Sequence, residues 1–340
     1  MAAVLIKDVA LHAGVSLATI TRVVNKQGYV SAETRKRVEN SIETLGYVPN
    51  HMARALKNNR TGVIGNMMSL EADNPFCAKI SLALKNAAAE YSYQILPVYS
   101  EEDKHREEHL IRELVGRMVE GIIFTGIIKS NRKVIKTVLS GHRPIVMIER
   151  PLNIPGTDKI LIDDFSGAAL AARRFLEFGH RVCGFIGRDT ATGTVEAKRF
   201  DGFKQTLEEN GLSLPGKNAG FVQGYGAKFA YDAMEKIIKK AGKNLPTAFF
   251  ITSDVLVCGA MQYLYQAGLR VPEDISIIGN DNTLSVLCSP PVTTIAIPYE
   301  EIGRTALSML WERREQHRGT DRTVTLKPFL LERESVADLR

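Results

Sequence analysis

The chain has 340 residues, 44% of them apolar and 24% charged, with a formal net charge of +6. It is too long for one typical domain, and its ordinary globular composition excludes extended disorder. No apolar run approaches the roughly 20 residues of a membrane-spanning helix, so no membrane partner is expected. The opening stretch MAAVLIKDVALHAGV is broken by Lys7, Asp8 and His12 and lacks the apolar core of a secretory signal, which makes a cytoplasmic location the expectation. The four cysteines, Cys77, Cys183, Cys258 and Cys288, stand far apart with no Cys or His ligand spacing. Neither a disulfide framework nor a zinc site, and no other metal or cofactor, is expected.

Charge is unevenly placed. Residues 1–60 carry nine Lys and Arg against four acidic residues, a net +5, and the other 280 residues share +1. A small basic head on a nearly neutral body fits a polyanion partner, most simply nucleic acid.

Lys7 to Ala13 reads as a short helix stopped by Gly14. Ser16 then caps a second helix running to about Asn25, the helix-turn-helix pattern. In that second helix Ile20, Val23 and Val24 recur at core spacing, which leaves Leu17, Ala18, Thr21, Arg22 and Asn25 on the outer face. Short side chains with one arginine suit close approach to the DNA major groove. Arg22 has the fork for guanine O6 and N7, Leu17 and Ala18 suit thymine methyl groups, and Ser16, Thr21, Asn25 and Ser31 suit phosphates. The alternative is a three-helix module that binds protein. Ser31 caps a third helix with Val38, Ile42 and Leu45 on one face and Gly46 as its stop.

Pro49 breaks that helix. Asn50 can cap a segment His51 to Lys57 of about two turns, too short to hold itself together in water. With Ala53 and Ala55 small, two copies can approach closely, placing Leu56 as a minor-groove wedge with Arg54 and Lys57 beside phosphates. A plain interdomain linker is the other reading.

IKDVALHAGVSLATITRVVN, YVSAETRKRVENSIETLGYVPN and ARALKNNRTGVIG follow in order and spacing. Together they resemble the DNA-binding head and hinge of the lactose-repressor (LacI/GalR) family of bacterial transcription regulators. Ile20 and Thr21 stand where Val and Ser are commoner.

From residue 61 short apolar runs alternate with amphipathic stretches, the mark of parallel α/β sheets. Strands are expected at 62–68, 93–99, 121–125, 144–148 and 159–162, then at 182–186, 219–223, 247–251, 274–278 and 293–297. Helices fall between them at 167–178, 195–211 and 228–241. Two sets of five strands predict two doubly wound lobes with a ligand between them.

NPF (Asn74–Phe76), FGHRVCGFIG, RFDGF, LRVPEDISIIGNDN and PPVTTI are similar to the same family's effector-binding core, a periplasmic-binding-protein-like fold. The resemblance implies a helix-turn-helix domain over 1–48, a hinge helix and linker over 49–60, and a core over 61–340. It implies three crossings between lobes, placed near 162–164, 290–291 and 322. The first lobe then holds about 61–162 and 291–322, and the second about 163–290 and 323–340. It also implies effector contacts at Phe76 (an apolar wall), Arg199 (a donor fork) and Asp281 (an acceptor for hydroxyls), with Glu149, Ser253 and Asp254 close by. Asn280 stands where the family commonly has an aromatic residue, and Asp164 where it commonly has Asn. No basic residue near Gly193 matches the purine-binding member, which favours a sugar or sugar derivative.

Other motifs carry nothing. His105 to His109 reads H-x-x-E-H, a metalloprotease signature, but it sits in a charged run whose Leu110 and Leu114 form the buried stripe. Asp163 and Asp164 are neighbours that should point apart. With no nucleophile or metal constellation, no enzyme is expected. The expectation is a homodimeric repressor of pseudo-palindromic operator DNA, controlled by a carbohydrate effector. Its rival is a soluble sugar-binding protein without a DNA role.

Overall fold

The computed structural model describes residues 4–25, 27–48, 60–70, 74–126, 132–150, 152–188, 194–224, 226–242 and 244–340. The chain divides into two compact units, residues 1–61 and 62–340.

Among the described residues the first unit holds three helices: α1 (Ile6–Ala13), α2 (Leu17–Val24) and α3 (Ala32–Leu45). Their ends are set by local chemistry. The Asp8 carboxylate accepts the Leu5 N–H at 2.8 Å, and Gly14 closes α1 at φ 62°, a left-handed conformation cheap only for glycine. Ser16 Oγ accepts the Thr19 N–H at 3.2 Å, and Ser31 Oγ accepts that of Thr34 at 3.3 Å. The helices close on Val9, Ala10, Ala13, Ile20, Val23 and Val38, with Val24, Ile42 and Leu45 partly buried against them.

Among the described residues the second unit holds two six-stranded sheets. The first lobe is built from β1 (Val63–Met68), α4 (Pro75–Glu90), β2 (Gln94–Tyr99), α5 (Lys104–Gly116), β3 (Gly121–Thr125), α6 (Arg132–Ser140), β4 (Ile145–Ile148) and β5 (Asp158–Ile162). The second is built from α7 (Asp164–Glu177), β6 (Cys183–Arg188), α8 (Val195–Glu209), β7 (Ala219–Val222), α9 (Ala227–Ala241), β8 (Ala248–Ile251), α10 (Asp254–Gln266), β9 (Ser276–Asp281) and β10 (Thr293–Ala296). The chain then returns through α11 (Tyr299–Glu315) and β11 (Thr323–Leu326) and finishes with β12 (Phe329–Leu331). Strand order is β11-β5-β4-β3-β1-β2 in one sheet and β12-β10-β9-β8-β6-β7 in the other. All pairs are parallel except β10 with β12. The central strands β3 and β4 are buried along their whole length, as expected of a parallel sheet covered on both faces.

Two expected lobe boundaries are corrected. β10 follows Pro291 yet remains in the second sheet, paired with β9, and β11 joins the first sheet beside β5. The second and third crossings therefore fall at Ile297–Pro298 and Lys327–Pro328, not near 290–291 and 322. A proline follows each strand end, and proline cannot donate the next ladder bond. The closing segment, expected wholly in the second lobe, is shared between lobes by β11 and β12. Close backbone approach secures the returns: a Cβ on Gly303 in α11 would lie 2.5 Å from the Ala83 carbonyl oxygen of α4.

Among the described residues no helix is long and apolar enough to cross a membrane.

Candidate nucleic-acid interface and ligand cleft

Helix α2 turns Ile20 and Val23 inward and leaves Ser16, Leu17, Ala18 and Arg22 exposed, with Thr21 and Asn25 half-buried. Leu17 is half exposed, an apolar side chain offered to an external surface. Arg22 lies along Gly28, where a Cβ would make ordinary van der Waals contact with Arg22 Cδ at 3.7 Å. Several polar groups on this face already have local duties. Thr21 Oγ1 donates to the Leu17 carbonyl at 2.9 Å, and the Ser16 and Ser31 hydroxyls cap their helices. Tyr29, 90% exposed beside the α2–α3 loop, was not singled out by sequence, because a lone aromatic in a loop carries no periodic signal. Asn50, His51, Ala53, Arg54, Leu56 and Lys57 lie outside the described residues.

In the second unit, side chains from both lobes converge on Arg199. Its guanidinium is almost wholly buried on α8. It donates from Nε to Asp164 Oδ1 at 2.8 Å and from Nη1 to the Thr252 carbonyl at 3.0 Å, with Glu196 Oε1 at 3.9 Å. Burial works against its charge, but Asp164, Glu196, Asp281 and Glu149 outweigh that and raise its pKa well above the ordinary value. Burial also pushes the Asp164 carboxyl up to about 6, with Arg199 opposing and Glu149 reinforcing the shift. Asp281, at the end of β9 with φ 97°, is raised well above the usual carboxylate range, first by burial, with Arg199 opposing. Asn280, the departure from the family pattern, donates Nδ2–H to Asp281 Oδ1 at 2.7 Å and so orients that carboxyl.

The first lobe supplies the apolar side. Phe76, in the first turn of α4, packs 5.9 Å centroid to centroid from Tyr299, whose hydroxyl donates to the Asp281 carbonyl at 3.0 Å. Tyr299 thus ties the Phe76 wall to the Asp281 strand end, a role that nothing in the sequence pattern announced. Asn74 caps α4 by accepting the Phe76 N–H at 3.0 Å. Glu149, at φ 69°, lies 3.7 Å from Arg150 Nε.

Asp254 is placed differently from expectation. It is fully buried, and one carboxylate oxygen accepts the N–H groups of Thr283, Leu284 and Ser285 at 2.6, 3.0 and 3.0 Å. Its carboxylate holds that turn on the start of α10. Ser253 is buried at the N-cap of α10, with no side-chain cap bond. Asp163 and Asp164 act separately, as expected: Asp163 Oδ1 caps α7 through the Ser166 N–H at 3.1 Å.

Beside this cluster a cavity of about 400 Å³ opens between the lobes, lined by Asn74, Pro75 and Glu102 on one side and Arg188, Gln223, Phe229 and Val255 on the other. Of these, Asn74 and Pro75 lay within the NPF motif read from sequence. The volume suits a small ligand. His105 and His109 are exposed on α5, and Glu108 pairs with Arg112 at 2.8 Å. Among the described residues no group of three or more His, Cys, Asp or Glu is arranged to hold a metal.

The pattern of the bacterial regulatory proteins of the lacI family matches residues 5–50, and that of a periplasmic binding protein-like domain matches residues 172–336. The HTH-type transcriptional regulator DegA of Bacillus subtilis is 34% identical over 339 residues, covering 98% of each chain. The HTH-type transcriptional repressor PurR of Aliivibrio salmonicida is 33% identical over 335 residues, covering 98% of this chain and 99% of its own. Among solved structures, the transcriptional regulator CelR in complex with cellobiose superposes with a TM-score of 0.72 at 26% identity, over 98% of this chain and 99% of that one. The Lac repressor dimer bound to operator and the anti-inducer ONPF gives 0.82 at 23% identity, over 99% and 100%, which speaks for the fold alone. A capped helix-turn-helix head, a two-lobed core with a charged cleft, and full-length relatives above 30% identity place this chain in the lacI family of bacterial regulatory proteins, as a DNA-binding repressor with a ligand-binding domain.

Proposed function

We propose that the chain works as a homodimer on a pseudo-palindromic operator in the bacterial cytoplasm, associated there with the nucleoid. Each head lays α2 in a major groove, with Arg22 reading a guanine, Leu17 and Ala18 meeting thymine methyl groups, and Ser16, Thr21, Asn25 and Ser31 setting register on phosphates. The segment containing Asn50, His51, Ala53, Arg54, Leu56 and Lys57 reaches the minor groove, with Leu56 as the wedge. The exposed, weakly charged face of α2 is the observation that carries this reading.

The effector in this proposal is a sugar or sugar derivative held between the lobes. Phe76 and Tyr299 supply an apolar wall, and Arg199, Asp281 and Glu149 supply donors and acceptors for hydroxyls. Support comes from the complex of the similar CelR with cellobiose. Effector binding changes lobe closure, and closure changes whether the two heads fit the operator, a coupling by rigid-body motion.

Selection of bound sites from a random duplex library at near-physiological salt tests the reading. It is repeated with sugars, phosphorylated sugars and purine bases. An enriched palindrome that one sugar abolishes or sharpens supports it and supplies the sign of regulation. A response to purines alone rejects the sugar assignment, and no enrichment under any condition rejects the operator reading.

A further inference from the structure

The second sheet ends at β7 (Ala219–Val222), which bonds to β6 on one side and, among the described residues, has no strand on the other. An open edge leaves a row of backbone N–H and C=O groups available to another chain. A groove of about 360 Å³ runs along this edge between β7 and α9, and it shares only Gln223 and Phe229 with the cavity between the lobes. The two faces of the edge differ. Gly220 faces α9, where a Cβ would lie 3.1 Å from Ala233 and 3.3 Å from Ile237, and on this side stand Lys236 and Lys240, with Lys217 at the start of the groove. All three lysines are exposed, and among the described residues none has an ion-pair partner. Asp232, the one acidic residue of the lining, is paired with Lys228 at 2.8 Å. On the opposite face Phe221 packs edge-on against Phe200 at 5.2 Å and remains 44% exposed.

We propose that this edge docks an extended acidic segment of a partner protein, which joins the sheet as an added strand. Main-chain hydrogen bonds to β7 supply the adhesion open to any strand, and the side chains around the groove choose the sequence. Lys236 and Lys240 are one turn apart on α9, about 6 Å of helical rise. Alternate side chains of an extended chain recur every ~6.6 Å, so carboxylates at position i of the segment, beside Lys240, and at i+2, beside Lys236, meet both ammoniums. Lys217 adds to the field that draws them in. Positions i+1 and i+3 fall on the other face, where an apolar side chain covers Phe221. Phe229, 45% exposed and eleven residues before Lys240 on α9, walls the far end of the groove about 16 Å away. It suits an aromatic side chain at i+4. The β7 of a second copy is the wrong occupant for this edge, because it would bring three more lysines against these three. A small anion would use the lysines and leave both the strand edge and Phe221 uncovered.

The test uses the full chain without DNA and a fluorescein-labelled probe peptide, Thr-Asp-Val-Glu-Val-Phe-Thr, read by anisotropy and by hydrogen exchange of the complex. The proposal expects saturable binding, slowed exchange of amides within 219–223, and an affinity that falls about fivefold or more between roughly 50 and 300 mM salt. Lys236→Glu combined with Lys240→Glu should weaken the probe about tenfold or more. Both lysines are exposed, so the double variant keeps the fold, which an unchanged thermal midpoint verifies. Phe221→Ser should weaken the probe and leave the salt dependence in place. Absence of saturable binding, equal binding of a scrambled peptide with its two acids adjacent, or protection confined to the basic head would each overturn the proposal. Displacement of the probe by a lower concentration of ADP would give the groove to a small anion and overturn it as well. Hydrogen exchange on the unmodified chain decides the question even where a variant fails to fold.

Discussion

Glu102 and Arg188 face each other across the cleft, one from each lobe, with Arg188 Nη1 3.4 Å from Glu102 Oε1. The same carboxylate lies 3.5 Å from Arg150 Nη1. Glu102 follows β2 at φ 57° and Arg188 ends β6, so this pair spans the two sheets at the rim of the cavity. Both residues are partly exposed, and such a pair contributes about 1 kcal/mol or less to folding. Its leverage is on closure. Glu102→Gln should leave thermal stability nearly unchanged and raise the apparent Kd of the effector about two- to fivefold, through a smaller closed fraction. Calorimetric titration of the effector found by operator selection checks this, and an unchanged Kd would remove the pair from the closing motion.

Arg22→Ala on α2 should cost about 1–3 kcal/mol at one base pair of the operator and relax discrimination there. Binding to single-position operator variants measures it. A uniform loss across all of them would make Arg22 a phosphate contact.

Removing the Asp254 side chain orphans three backbone N–H groups inside the second lobe. At roughly 1–3 kcal/mol for each buried donor left without a partner, Asp254→Ala should destabilise the core by at least about 3 kcal/mol in urea unfolding. A ligand-contact role would instead leave stability intact and abolish effector binding alone.

The buried Asp164 carboxyl makes stability depend on pH. Its folded value of about 6 stands above the ordinary 3.8, so between those values the folded chain holds a proton that the unfolded chain has lost. Stability from this group is full below about 4, declines as pH rises to about 6, and is level above. Asp281 is shifted in the same direction. Asp164→Asn keeps an acceptor for Arg199 without the charge, so the stability of the unmodified chain should fall relative to the variant by on the order of 3 kcal/mol from pH 4 to pH 7. Urea midpoints at the two pH values measure the difference. Parallel profiles would show that Asp164 is ionised throughout.

The ten expected strands all form, with ends within three residues of their expected positions. The three head helices end at the serines and glycines that the sequence marks for them. These features are local: an apolar run, a cap or a left-handed glycine acts over a few residues and leaves its trace in one stretch of chain. β11 and β12 escaped notice because they are edge strands of only four and three residues, and their partners β5 and β10 are set by where the chain crosses between lobes. Pro290 and Pro291 drew the expected crossing too early for the same reason: a proline ends a ladder but does not say which sheet the next strand will join.

By itself the sequence determined the modular plan of this protein, a basic capped-helix head on a two-lobed α/β body, and the outward face of α2. Helix periodicity, capping chemistry and charge position are properties of neighbouring residues. Only the tertiary structure decided what meets in the cleft: Tyr299 bridging Phe76 to Asp281, Glu102 reaching Arg188, and Asp254 spent on a turn. Those encounters join residues from 18 to more than 200 positions apart. Their geometry follows from sheet order and from the burial that forces each charge to find a partner, and neither is written in any one stretch of chain.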